Sequence, residues 1–137
     1  MWWMFALLSA FFAALTAIFA KLGVKGVDSD LATAIRTVVV LLLAWGIVFF
    51  KGSTTAIATL SQKNLLYLIV SGIATGLSWI FYFKALQMGN VSQVAPVDKL
   101  SVALTVVLSV IFLQEALSIR TAIGVVLITA GVFIIIK

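Results

Sequence analysis

The sequence predicts an all-α integral membrane protein with five transmembrane helices, and three observations carry that prediction. Apolar residues make up 64 % of the 137-residue chain and charged residues 9 %, which is more apolar surface than a single soluble core of this length can bury. The apolar residues are gathered into runs long enough to cross about 30 Å of hydrocarbon. Between the runs lie short stretches of Gly, Asn, Ser, Asp and Lys, the residues of turns and helix ends. The net charge of +5 comes from basic residues placed singly near the ends of the runs, which suits anchoring at lipid headgroups rather than binding nucleic acid. With neither Cys nor His, the chain offers no disulfide, thiol chemistry or zinc cluster, and no metal or other cofactor is expected.

The first span covers residues 2–21 and is uncharged until Lys21, with Trp2 and Trp3 placed to join an interfacial aromatic belt. A cleaved signal peptide is disfavoured, because there is no basic leading segment and the run is longer than an ordinary signal core. A polar connection with Lys25, Gly26, Asp28 and Asp30 follows, and Asp30 is expected to cap the second span, 31–50. Arg36 lies a turn and a half into that span. Its long stem allows the guanidinium to reach the interface or to take part in a site. The connection 51–62 is the longest, and Ile57 and Leu60 at a spacing of 3 suggest a short surface helix within it.

The third span, 64–86, carries Ser71, Thr75, Ser78 and Tyr82 at spacings of 4, 3 and 4, which places them on one helical face. Gly89 and Asn90 then make a tight turn, so the third and fourth spans should be antiparallel neighbours. The fourth span, 92–114, carries Asp98, Ser101, Thr105 and Ser109 at spacings of 3, 4 and 4. Polar groups are costly in hydrocarbon, so this face is expected to turn inward while Val102, Val106, Val107 and Val110 pack elsewhere. Two such stripes could line one cavity; the alternative is that their hydroxyls bond back to their own helices or pack between helices. Trp79 and Tyr82, with Phe83 four residues after Trp79, offer rings for stacking on a flat or cationic ligand. Pro96 either marks the helix start or frees the carbonyl of Ser92. Glu115 and Arg120 are placed to pair across the last link. The fifth span, 119–136, has Gly124 and Gly131 seven residues apart, read as a subunit contact, with a contact inside one copy as the alternative.

The candidate substrate-binding or coupling residues are therefore Asp98, Ser101, Thr105, Tyr82, Ser78 and Trp79. Asp98 is the acid that could exchange a proton, since Asp28, Asp30 and Glu115 read as loop or interface residues. Its candidate charge partners are Lys99, Lys84 and Arg36, although an α-helix turns Lys99 about 100° away from it; a purely structural ion pair is the alternative role. No Walker-type glycine motif or other catalytic constellation is present, so neither an enzyme nor an ATP-driven pump is expected. An odd number of spans puts the termini on opposite sides. Lys21, Lys25, Lys84 and Lys137, with Arg36 and Lys99 deeper, face Lys51, Lys63 and Arg120 on the other side, a bias that mildly favours an outside N-terminus.

The stretch from Trp79 through QMGNVSQVAPV and FLQE to GVVLITAGVFIII resembles the drug/metabolite transporter superfamily, in particular its EamA-type module, and AKLGV and LATAIR fit the earlier part of that module. The resemblance covers essentially the whole chain. It implies a secondary transporter of a small metabolite or amphiphile working by alternating access, with translocation of a lipid-linked substrate or a nontransporting accessory role as alternatives. Most relatives carry two modules in inverted relation, so this single module is expected to form a homodimer, antiparallel if the chain inserts both ways. Membrane lipids and a small-molecule substrate are the other expected partners, and a prokaryotic cytoplasmic (inner) membrane the expected location. In the small multidrug-resistance branch a glutamate of the first helix couples drug to proton. Ala13 stands at the corresponding place here, so that mechanism is not expected.

Overall fold

The computed structural model describes residues 1–136; Lys137, counted above toward the orientation, lies outside them. The chain folds as α1 (Trp2–Gly23), α2 (Ser29–Phe50), a 3-10 segment (Ser53–Thr59), α3 (Gln62–Met88), α4 (Val91–Asp98), α5 (Leu100–Phe112) and α6 (Ile119–Ile136). With α4 and α5 taken as one run, five helices among the described residues are long and apolar enough to cross a membrane. The protein is thus an all-α integral membrane protein of five spans. Large apolar side chains point outward along every span, as a bilayer solvent requires.

The helix ends show why the boundaries fall where they do. α2 is capped by Asp28, not by Asp30 as expected: the Asp28 Oδ1 accepts the backbone N–H groups of Asp30 and Leu31, both at 3.0 Å. Asp28 has the extended backbone of a cap (φ −59°, ψ 134°), while Asp30 is already inside the first turn, where its charge favours the helix dipole. α2 ends on Gly52, whose φ of +67° lets its N–H fold back onto the Phe49 carbonyl at 3.1 Å. Ser61 begins α3, its hydroxyl accepting the N–H of Asn64 at 3.2 Å. The expected surface helix is the 3-10 segment, which includes Ile57 but stops before Leu60 and packs on α2.

The fourth span is broken rather than continuous. Pro96 has no N–H to give, and three residues later the chain tightens: the Lys99 N–H bonds to the Pro96 carbonyl at 3.0 Å, and the Val102 N–H to the Lys99 carbonyl at 3.0 Å. These three-residue bonds replace α-helical ones and separate α4 from α5 at Lys99. At its far end α5 stops at Phe112, two residues before the expected boundary, because Gln114 adopts φ +54°. The N–H groups of Leu113 and Glu115 both turn back to the Ser109 carbonyl, at 2.9 and 3.3 Å.

The chain divides into two compact units: Ile18–Gln87, and Met1–Ala17 with the stretch from Met88 onward. In the first, the buried residues Ala20, Val24, Ser29, Thr33, Phe83 and Leu86 all come from the end of α1, the start of α2 and the end of α3. Two tertiary hydrogen bonds tie this end together. Lys21 donates its Nζ to the Leu86 carbonyl, a cation on the C-terminal dipole of α3, and the Gln87 Nε2 reaches the Val27 carbonyl at 2.8 Å. In the second unit, α4 and α5 both pack on α6.

Candidate functional site

The candidate residues fall in both units. In the second unit, Asp98 ends α4 and Lys99 occupies the break. The Lys99 Nζ lies 3.3 Å from the Asp98 Oδ2, so the neighbour that helical geometry turns away is the one that reaches the carboxylate. The tightened backbone at Lys99 and the long lysine stem account for this. In a single copy Lys99 is exposed and Asp98 half-exposed (56 % and 36 % of the side chains).

Below it on α5, Ser101 and Thr105 are exposed, while Val102, Val106 and Val110 are half-buried. Asp98 and Ser109, on the same face as Ser101 and Thr105, are half-buried as well, and α5 packs on α6. Val107 is exposed. The hydroxyl of Ser109 bonds to its own helix at the Val106 carbonyl, 3.0 Å away. Ser101 and Thr105 make no such bond among the described residues. Glu115 and Arg120, expected to pair, form no ion pair among the described residues. On α6, Gly124 and Gly131 are half-buried, and a Cβ added at either would meet nothing within 4 Å. No close contact inside this copy therefore calls for a glycine at either position.

In the first unit, the α3 stripe divides in the same way. Thr75 gives its hydroxyl to the Ser71 carbonyl at 2.9 Å, whereas Ser78 is exposed and makes no hydrogen bond among the described residues. Tyr82 is half-buried, with its ring 6.4 Å edge-on from Phe83. Trp79 is also half-buried, and the cation above it is the chain's own: the Arg36 guanidinium carbon lies 4.3 Å from the Trp79 ring centre and 5.2 Å from that of Phe83. Arg36 thus lies along the span against α3 instead of reaching for the interface. Lys84, the neighbour of Phe83, is exposed. The Trp79 and Phe83 spacing of four was the sequence signal for a ring pair on one face; that Arg36 would fill it was not legible, because an arginine stem can turn either way.

The first unit also holds a shallow apolar pocket of about 280 Å³ between the end of α2 and the 3-10 segment, lined by Ala44, Trp45, Val48, Ala56, Ile57 and Leu60 among others. No group of acidic residues among the described residues could hold a metal ion.

Comparison with known proteins gives a consistent assignment. The model of a family described as the EamA-like transporter family matches residues 1–137. An uncharacterized transporter from the region 3′ of cobO in a Sinorhizobium species is 46 % identical over 134 residues, covering 98 % of this chain and 95 % of that one. An uncharacterized protein of Methanocaldococcus jannaschii is 36 % identical over 74 residues, 54 % of each chain. No solved structure matches the chain significantly.

Proposed function

We propose, from the premise that this chain belongs to the EamA-like transporter family, that two copies pair antiparallel in the membrane and move a small metabolite or amphiphile by alternating access. The observation that carries this reading is the uncovered polar face. Asp98 is half-exposed, and Ser101 and Thr105 present unbonded hydroxyls, all on a membrane-spanning run. Hydrocarbon is a poor neighbour for such groups, so a second copy that encloses them supplies the wet lining they require. Ser78 and Tyr82 of α3 are a second polar stripe on a membrane-spanning run that calls for cover of its own. Asp98 serves as the proton-exchanging group, with Lys99 beside it at 3.3 Å. Gly124 and Gly131 lie at the contact between copies. The bacterial and archaeal sources of the relatives support a location in the prokaryotic cytoplasmic membrane.

The test is proton movement driven by candidate amphiphiles in proteoliposomes. Asp98→Asn should abolish proton-linked transport while leaving the protein folded. Undiminished proton-linked transport by the Asp98→Asn protein would exclude the coupling role.

A further inference from the structure

We propose that Arg36, held over Trp79 and Phe83, is the binding point for an oxyanion, and that the transported molecule carries a phosphate-like head. This inference rests on the transport reading for the word "transported", but the site itself stands on the geometry of α2 and α3.

Three observations support it. The first is depth. Arg36 lies seven residues inside α2, about 10 Å along the helix from Ser29. Trp79 lies nine residues before the end of α3, and the Gln87–Val27 bond brings the end of α3 to the start of α2. A guanidinium 4.3 Å from the Trp79 ring is therefore within the span.

The second is incomplete satisfaction. A charged group within a membrane span normally finds a counter-charge or carbonyl partners. Arg36 has ring faces, which attract its charge but accept none of its N–H groups in the manner of a carboxylate. Among the described residues it forms no ion pair, and the polar group it feels is the phenol of Tyr82, which carries no full counter-charge. The acids of this unit are Asp28 and Asp30; Asp28 is engaged as the α2 cap, and Asp30 lies in the first turn of that helix, six residues before Arg36. The guanidinium thus keeps the planar fork of donors that matches an oxyanion with two parallel bonds.

The third is a preset position. Stacking on Trp79 and the buried Phe83 restricts a side chain that is otherwise among the most mobile, so less entropy is lost when a ligand binds. Arg36 is itself only half-buried, which leaves it reachable. Lys84, next to Phe83, adds positive charge on the same turn of α3.

The test is direct binding to purified protein in maltoside micelles, with dodecyl phosphate, inorganic phosphate and dodecyltrimethylammonium as probes. Replacing Trp2, Trp3 and Trp45 by Phe leaves Trp79 as the reporting indole, since the chain has four tryptophans. The expected result is saturable binding of dodecyl phosphate with a change in Trp79 emission. Arg36→Gln should weaken binding by at least about tenfold, the scale of one lost charge-assisted bond, and Arg36→Lys by less. Binding of dodecyl phosphate alone would identify an amphiphile's headgroup, and equal competition by inorganic phosphate would identify a soluble anion. Either supports the site. Absence of saturable anion binding, or equal binding of the ammonium probe, overturns it. If Arg36→Gln does not fold, the wild-type preference between the phosphate and ammonium probes decides the matter. Binding without flux of dodecyl phosphate in proteoliposomes would sink the transport reading and leave the site standing; flux insensitive to Arg36→Lys and Arg36→Gln would do the reverse.

Discussion

Gln114 adopts a left-handed backbone, φ +54°, at the point where α5 must stop. A side chain with a Cβ costs about 1–2 kcal/mol in this conformation, and glycine does not, although glycine gives back part of the gain through its freer unfolded chain. Gln114→Gly should therefore raise stability by a few tenths to about 1 kcal/mol, seen as a higher apparent melting temperature in detergent; a lower one would mean that the Gln114 side chain holds the turn. Asp28 offers the opposite case. Its carboxylate satisfies two backbone donors at the start of α2, so Asp28→Ala should cost about 1 kcal/mol, and Asp30→Ala clearly less. Equal losses at both positions would restore Asp30 to the capping role that the sequence suggested.

At the scale of elements, the spans were legible and their interruptions were not. Length and hydropathy locate each span to within about two residues because the cost of exposing backbone to lipid leaves few alternatives. The break at Lys99 escaped because a proline disturbs the bond four residues behind it, whereas the visible tightening here lies ahead of it, at Lys99 and Val102. The hydroxyl stripes were legible as faces, but periodicity does not say which face a helix offers to its neighbour. The valine stripe of α5 and the polar stripe have the same period, and residues of both, Val102, Val106 and Val110 with Asp98 and Ser109, are half-buried. Pro96→Ala restores the missing N–H to the first half of the broken span. Its expected outcome is a stability gain of up to about 3 kcal/mol, read as a higher apparent melting temperature in detergent, with slower turnover if the freed carbonyl of Ser92 serves transport. A gain in stability with unchanged turnover would make the break a structural feature alone.

For the whole molecule, a single copy hides little of itself. The buried apolar residues are Ala17, Ala20, Val24, Phe83, Leu86 and Val132, and the remaining span surface faces lipid or another protein. Membrane helices associate through close packing of small residues rather than by hydrophobic collapse, so the proposed pairing is expected to be most sensitive at Gly124 and Gly131. With nothing within 4 Å of an added Cβ, Gly131→Leu should be tolerated by one copy and should disrupt the pair, read by cross-linking in membranes. Unchanged cross-linking would move the contact elsewhere.

The antiparallel pair is the central claim, and the orientation of the chain tests it most directly. The native chain has no cysteine, so Asn90→Cys and Thr55→Cys, in connections on opposite sides of the membrane, can be labelled without background by an impermeant thiol reagent in intact cells. Labelling of both sites in comparable fractions is the predicted result, because it means that copies insert in both directions and can pair head to tail. Labelling of one site and full protection of the other would contradict the account, since every copy would then share one orientation.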